Sequence, residues 1–256
     1  PAAGAASVAT SAQGAILIEA ETGRVLWSQN ADRKLPMAST TKIITAITAL
    51  EHADPAEMVR VDPAAVGIEG SSIYLAAGEE LTLEQLLYGL MLRSGNDAAV
   101  AIAIHVAGSV ADFAALMNET AARAGATNTQ LMNPHGLHHP DHYTTAADLA
   151  RITAYAMRNE IFARIVSTRT ATIPKAGESW NRILNNKNRI LWQYSGGNGV
   201  KTGYTRAAGR CLVSAARRDG MQLIAVVLNC GPMFEDSMAL LDYGFAHYEY
   251  RCVLEA

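Results

Sequence analysis

Ala15-Ile16-Leu17-Ile18-Glu19-Ala20, then Glu21-Thr22-Gly23, then Arg24-Val25-Leu26-Trp27-Ser28: two β-type runs around a short glycine-containing turn read as a hairpin near the start of the chain. The far end mirrors it. Arg210-Cys211-Leu212-Val213-Ser214-Ala215 and Met221-Gln222-Leu223-Ile224-Ala225-Val226-Val227-Leu228 flank Arg218-Asp219-Gly220, and Gly199-Val200-Lys201-Thr202-Gly203 supplies one more strand ahead of them. The middle reads as helical. Ser39 to Leu50 has no internal Gly or Pro, and Leu81 to Tyr88 places leucines on one helical face. Asp97 to Val106 and Val110 to Ala124 follow, stopped by Gly108 and Gly125; Thr145 to Met157 and Phe234 to Phe245 complete the set. Strands at both ends with helices between predict an α/β (α+β) fold, in which one antiparallel sheet formed from both chain ends packs with a helical cluster. A cleft where the sheet edge meets the helices is the expected site.

The chain has 256 residues, half of them apolar, enough for a substantial core. A formal net charge of -3 argues against nucleic acid, whose backbone demands a basic surface. No apolar run is long enough to span a bilayer. Residues 1–12 are small and low in complexity and read as a flexible leader; 13–247 read as one catalytic domain and 248–256 as a tail. Cys211, Cys230 and Cys252 match no zinc spacing, and the first two lie in apolar strands, where a thiol packs as a small hydrophobe.

Three short motifs stand in order: Ser39-Thr40-Thr41-Lys42, Ser94-Gly95-Asn96 and Lys201-Thr202-Gly203. On a helix, residues i and i+3 share a face, so the Lys42 amine can reach the Ser39 hydroxyl. A neutral lysine can take the proton that keeps serine a poor nucleophile. Burial and a second cation such as Lys201 would lower the Lys42 pKa to make it so. Ser39 lies where a helix begins, so its N–H is free to face a developing oxyanion. In the second motif a hydroxyl can relay a proton to a leaving amine, and the Asn96 amide can hold a peptide group. In the third, Gly203 lets a substrate backbone lie close against a strand. Each motif alone has an ordinary reading: a capping serine, a helix–helix turn, a strand end. Together, in this order, they form the signature of the penicillin-interacting serine enzymes.

The chain resembles the low-molecular-mass penicillin-binding proteins, specifically the type-5-like D-alanyl-D-alanine carboxypeptidases of serine peptidase family S11. The resemblance runs through Leu35 to Ile43, Leu86 to Ala98, Met117-Asn118-Glu119, Asn133-Pro134-His135-Gly136-Leu137, Asn185 to Asn188 and Gly199 to Thr205. It implies the β-lactamase/transpeptidase-like fold and removal of the terminal D-alanine from peptidoglycan stem peptides through an acyl-enzyme, with β-lactam antibiotics as covalent inhibitors. It also implies an extracytoplasmic location. Ser39 is then the nucleophile, Lys42 its base, Ser94 the proton relay and Asn96 a contact to the substrate amide. Lys201 and Thr202 steer the terminal carboxylate, and the Ser39 and Tyr204 amides form the oxyanion hole. Some relatives have His where Tyr204 stands, and some have Arg at Lys187. Lys187 offers charge near the carboxylate without a bidentate fork, or is an exposed structural lysine. No cofactor is implied. His135, His138, His139 and His142 share a Pro/Gly loop and read as a structural loop near the site rather than a metal site. Relatives usually carry a second all-β domain and an amphipathic membrane anchor; neither is expected in this chain, which stops at Ala256.

Two rivals remain. A class A β-lactamase needs a glutamate in an E-x-x-L-N context to activate water, and Glu119, Glu160 and Glu178, the glutamates between the second and third motifs, all lack it. A non-catalytic penicillin-sensing or wall-binding module could keep the fold without the chemistry.

Overall fold

The computed structural model describes residues 8–251. Cys252, most of the expected leader and the last part of the expected tail lie outside the described residues.

In chain order the elements are β1 (Gly14–Glu19), β2 (Val25–Gln29), α1 (Lys42–His52), β3 (Met58–Arg60), β4 (Glu80–Thr82), α2 (Leu83–Leu92), α3 (Asn96–Ala107), α4 (Val110–Arg123), α5 (Ala146–Met157) and α6 (Glu160–Ser167). There follow β5 (Thr170–Ile173), β6 (Arg182–Asn185), α7 (Ile190–Gln193), β7 (Gly197–Thr205), β8 (Gly209–Arg218), β9 (Met221–Leu228) and α8 (Met233–His247). Five strands form one sheet in the order β2-β1-β9-β8-β7, with every pairing antiparallel. The first and last hairpins therefore meet at β1 and β9, Leu17 opposite Ala225.

Because strand side chains alternate between faces, the central strands β1, β8 and β9 feed two cores. Ile16, Ile18, Val213, Ala215, Ile224 and Val226 pack into the larger one, built with α1 to α6. Leu17, Leu212, Leu223, Ala225 and Val227 pack on the other face with Leu240 and Leu241 of α8. Covered on both sides, β9 buries all eight of its residues, hence its unbroken apolar reading. Strand β7 is left at the sheet edge, against the helical half.

Helix starts follow local chemistry. Thr82 accepts from the Gln85 N–H while the Gln85 side chain accepts from the Thr82 N–H, a reciprocal cap that starts α2 at Leu83. The helix expected from Leu81 thus begins two residues later, and Leu81 sits in β4. Ser109 and Thr145 cap α4 and α5 through the amides of Asp112 and Asp148. Gly108, at φ +79, ends α3 in the left-handed conformation that glycine adopts without strain. Cys211 and Cys230 are buried free thiols. Among the described residues, no single helix is long and apolar enough to cross a membrane.

Candidate active site

Ser39 does not open the α-helix. It lies in a separate single turn of 3-10 helix, Ala38–Thr41, that runs into α1 at Lys42. Ala38 before it is held at φ +48, a conformation an alanine takes only where its surroundings impose it. The loop after α4 does the imposing. Gly136, itself at φ +86, packs so closely that a Cβ there would stand 2.0 Å from the Ala38 carbonyl oxygen. Thr45 Oγ1 ties the same loop to α1 by donating to the Pro134 carbonyl at 2.7 Å. The Met132 N–H donates to His142 Nδ1 at 3.0 Å, so the ring proton sits on Nε2 and is donated to Thr41 Oγ1 at 2.8 Å. Thr41 Oγ1 in turn donates to the Ala38 carbonyl at 2.8 Å. Burial, then the neighbouring histidines, push the His142 pKa down to about 4, which keeps this neutral chain of donors intact.

Lys42 is fully buried, and its amine has three partners: Ser39 Oγ at 2.9 Å, Asn96 Oδ1 at 2.7 Å and the His135 carbonyl oxygen at 2.6 Å. Burial lowers its pKa most, followed by the charges of Lys201 and Lys187, against a smaller opposing pull from Asp97. A neutral amine has two N–H groups and one lone pair. Two of the partners are pure acceptors and take the two hydrogens; the third is a hydroxyl, and the lone pair is left facing it. This is the geometry of a base aimed at the Ser39 proton.

The second motif is set by backbone conformation. Ser94, at φ +64, turns the chain between α2 and α3 and lines the cleft beside Ser39. Asn96 opens α3 and spends Oδ1 on Lys42 and one N–H on the Glu69 carbonyl at 2.6 Å. Its second N–H remains for another acceptor. Asp97 is buried and accepts from Ser72 Oγ and the amides of Ile73 and Leu75, which fixes the segment that carries Ser71 and Ser72.

The third motif lies on β7. A Cβ on Gly203 would stand 3.0 Å from the Ser39 N and 3.1 Å from the Thr40 N, so only glycine lets the edge strand reach the serine turn. Lys201 is buried, donates to the Thr202 carbonyl at 2.9 Å, and is pushed down to about pKa 7 by burial and then by Lys187. Lys187 Nζ donates to Ser71 Oγ at 3.3 Å; its own pKa is lowered by burial and then by Arg93. A cleft of about 320 Å³ collects Ser39, Ser71, Ser94, Lys187, Thr202, Gly203 and Tyr204, with Met233 and Phe234 at one side. Lys42 is buried behind Ser39, bonded to its Oγ; Lys201 is buried next to Thr202 on β7; and Asn96 joins the site through Lys42.

Of the nine residues singled out from the sequence, Ser39, Ser94, Lys187, Thr202, Gly203 and Tyr204 line the cleft, and Lys42, Asn96 and Lys201 are joined to it through Ser39, Lys42 and Thr202. Sequence reasoning missed the His135 and Glu69 carbonyls, and it missed Ser71; the Gly70-Ser71-Ser72 run was the one available signal for the last.

The family described as D-alanyl-D-alanine carboxypeptidase matches residues 2–231. A D-alanyl-D-alanine carboxypeptidase of Bacillus subtilis is 36% identical over 252 residues, covering 94% of this chain, which spans 64% of that relative's length. One from Mycobacterium tuberculosis is 37% identical over 243 residues, covering 92% of this chain and 82% of the relative. Among solved structures, a D-alanyl-D-alanine carboxypeptidase of Mycobacterium tuberculosis superposes with a TM-score of 0.90 at 35% identity over 96% of both chains. A variant Streptomyces DD-transpeptidase gives 0.88 at 33% identity over 94% of this chain and all of that one. The fold is that of these transpeptidase-like enzymes.

Proposed function

The chain belongs to the D-alanyl-D-alanine carboxypeptidase family, and from that premise we propose that it is a serine-type hydrolase that removes the terminal D-alanine from peptidoglycan stem peptides. The observation that carries this reading is the Lys42 amine, buried, lowered in pKa and 2.9 Å from Ser39 Oγ.

In this reading Lys42 takes the Ser39 proton as Oγ attacks the carbonyl carbon of the penultimate D-alanine. Negative charge gathers on the carbonyl oxygen, which the Ser39 and Tyr204 amides receive. The C–N bond breaks, and Ser94 passes the proton to the departing amine. Thr202 and Lys201, with Lys187 behind them, hold the terminal carboxylate. The free Asn96 N–H meets the peptide carbonyl on the acyl side. Water then attacks the ester, Lys42 again accepting a proton.

Support for slow release of penicillin comes from the glutamates. Glu119 lies in α4, Glu160 at the start of α6 and Glu178 ahead of β6, and none of them lines the cleft. A β-lactam opened on Ser39 keeps its leaving group tethered in the site, so the adduct persists. The wall substrate places the protein's work in the cell envelope.

The test is D-alanine release from diacetyl-Lys-D-Ala-D-Ala, paired with mass spectrometry after benzylpenicillin. Release together with a persistent adduct on Ser39 is expected, and Ser39→Ala should lose both. Rapid penicillin turnover without an adduct would support a β-lactamase instead; an inert wild type would support a binding module.

A further inference from the structure

The wall of the cleft that carries Ser71 and Ser94 has a second side. Behind it lies another pocket, about 240 Å³, lined by Ser72, Tyr74, Arg93, Lys175, Trp180 and Ile183 among others. Ser72 and Arg93 are the chain neighbours of Ser71 and Ser94, so the same two segments line both cleft and pocket. Three large side chains stand in water around the opening: Trp180 is 54% exposed, Ile183 67% and Tyr74 78%. Apolar surface gathered in this way marks a binding site more often than chance.

The charge there has a single sign. Arg93 donates to the Asn185 carbonyl at 3.3 Å and Lys175 to the Tyr74 carbonyl at 2.8 Å, both neutral acceptors that leave the cations uncompensated. Arg182 also borders the pocket but is spent: it grips both oxygens of Glu79 and the carbonyls of Ile73, Tyr74 and Pro174. No acidic side chain lines the pocket among the described residues. Two open cations beside aromatic and aliphatic surface suit a carboxylate borne on an aliphatic arm.

Position relative to the scissile bond says which part of a substrate would arrive there. With the reacting carbonyl at the Ser39 and Tyr204 amides and the terminal carboxylate at Thr202, the departing residue lies toward Lys187. Lys187 joins the two pockets: its Nζ holds Ser71 and its N–H donates to the Leu92 carbonyl, just before Arg93. Building on the carboxypeptidase reading, we propose that Arg93 and Lys175 form a subsite for the side chain of the departing residue, so that the protein releases D-residues carrying a second carboxylate as well as D-alanine. The bond changes are those of the main reaction. Ser39 Oγ bonds to the acyl carbon, the C–N bond breaks, the nitrogen takes the proton that came from the serine, and the D-residue leaves; water then hydrolyses the ester.

The experiment compares two peptides, diacetyl-Lys-D-Ala followed by D-2-aminopimelate or by its ω-amide, which differ only in the distal charge. The released D-residue is quantified by chromatography, with diacetyl-Lys-D-Ala-D-Ala alongside. The acid should be released with a kcat/KM roughly tenfold above the amide, the worth of one charge-assisted hydrogen bond. That ratio should fall toward one in Arg93→Gln and in Lys175→Gln and return in Arg93→Lys. Equal rates for acid and amide in the wild type, or a ratio unmoved in both glutamine variants, overturns the subsite. So does release of D-alanine with no release of either pimelyl residue. No release from any of the three peptides would overturn the carboxypeptidase reading itself, and this one with it.

Discussion

Lys42 engages three partners through one nitrogen, and two other lysines push its proton off. The same crowding sets opposite limits on pH. A base works unprotonated, so acylation is lost as pH falls through the lowered Lys42 pKa. A carboxylate clamp works charged, so binding weakens as pH rises through the Lys201 value of about 7. Lys187 depresses both. Lys187→Gln should therefore move both limbs of the kcat/KM profile for D-alanine release to higher pH, read from about pH 5 to 10; limbs that stay in place would exclude this coupling. At this scale the site was largely legible. Ser39, Lys42, Ser94, Asn96, Lys201, Thr202 and Gly203 announce themselves through residue type and spacing. The His135 and Glu69 carbonyls do not, because any residue supplies a carbonyl and only the chain path places it.

Among the elements, the two hairpins of the main sheet and most long helices follow from alternation, periodicity and glycine stops. What sequence reading left out is short or held from a distance. Strands β3 and β4 have three residues each, and β5 (Thr-Ala-Thr-Ile) and β6 (Arg-Ile-Leu-Asn) carry no clean alternation. Helix α6 went unread although Asn159 caps it through the amides of Ile161 and Phe162. The turn bearing Ser39 reads in sequence as the start of α1, because its left-handed Ala38 is imposed by a loop about a hundred positions away. That dependence is testable. Gly136→Ala puts a methyl group against the Ala38 carbonyl, with backbone on both sides of the clash. Displacing the serine by about 1 Å should slow acylation by benzylpenicillin about 10²-fold. Stopped-flow kinetics would show this, and an unchanged rate would mean that the loop does not position Ser39.

Over the whole molecule, cohesion between parts depends on a few buried polar joints as well as on the two apolar cores. Arg182 of β6 and Glu79 of the loop before β4 form a buried bidentate pair whose Nη1–Oε1 separation is 2.6 Å. Burial would raise the Glu79 pKa, but the hydrogen bonds from Arg182, Ala76 and Ala176 and the Arg182 charge together outweigh it and hold the carboxyl low. Arg182→Met leaves that carboxylate buried without its cation, held only by the Ala76 and Ala176 amides, and should cost about 3–5 kcal/mol, measured as a lower urea midpoint. A loss under about 1 kcal/mol would place the joint among the weak surface pairs. The sheet order carries a further consequence. Since β1 completes its pairing only with β9, and Gly203 reaches the serine turn only once β7 is laid down, a ribosome must deliver the chain through β9 before any reactive serine exists. Fluorescent penicillin would then tag molecules that extend past β9, while nascent fragments ending short of residue 197 stay dark however well their helices have formed.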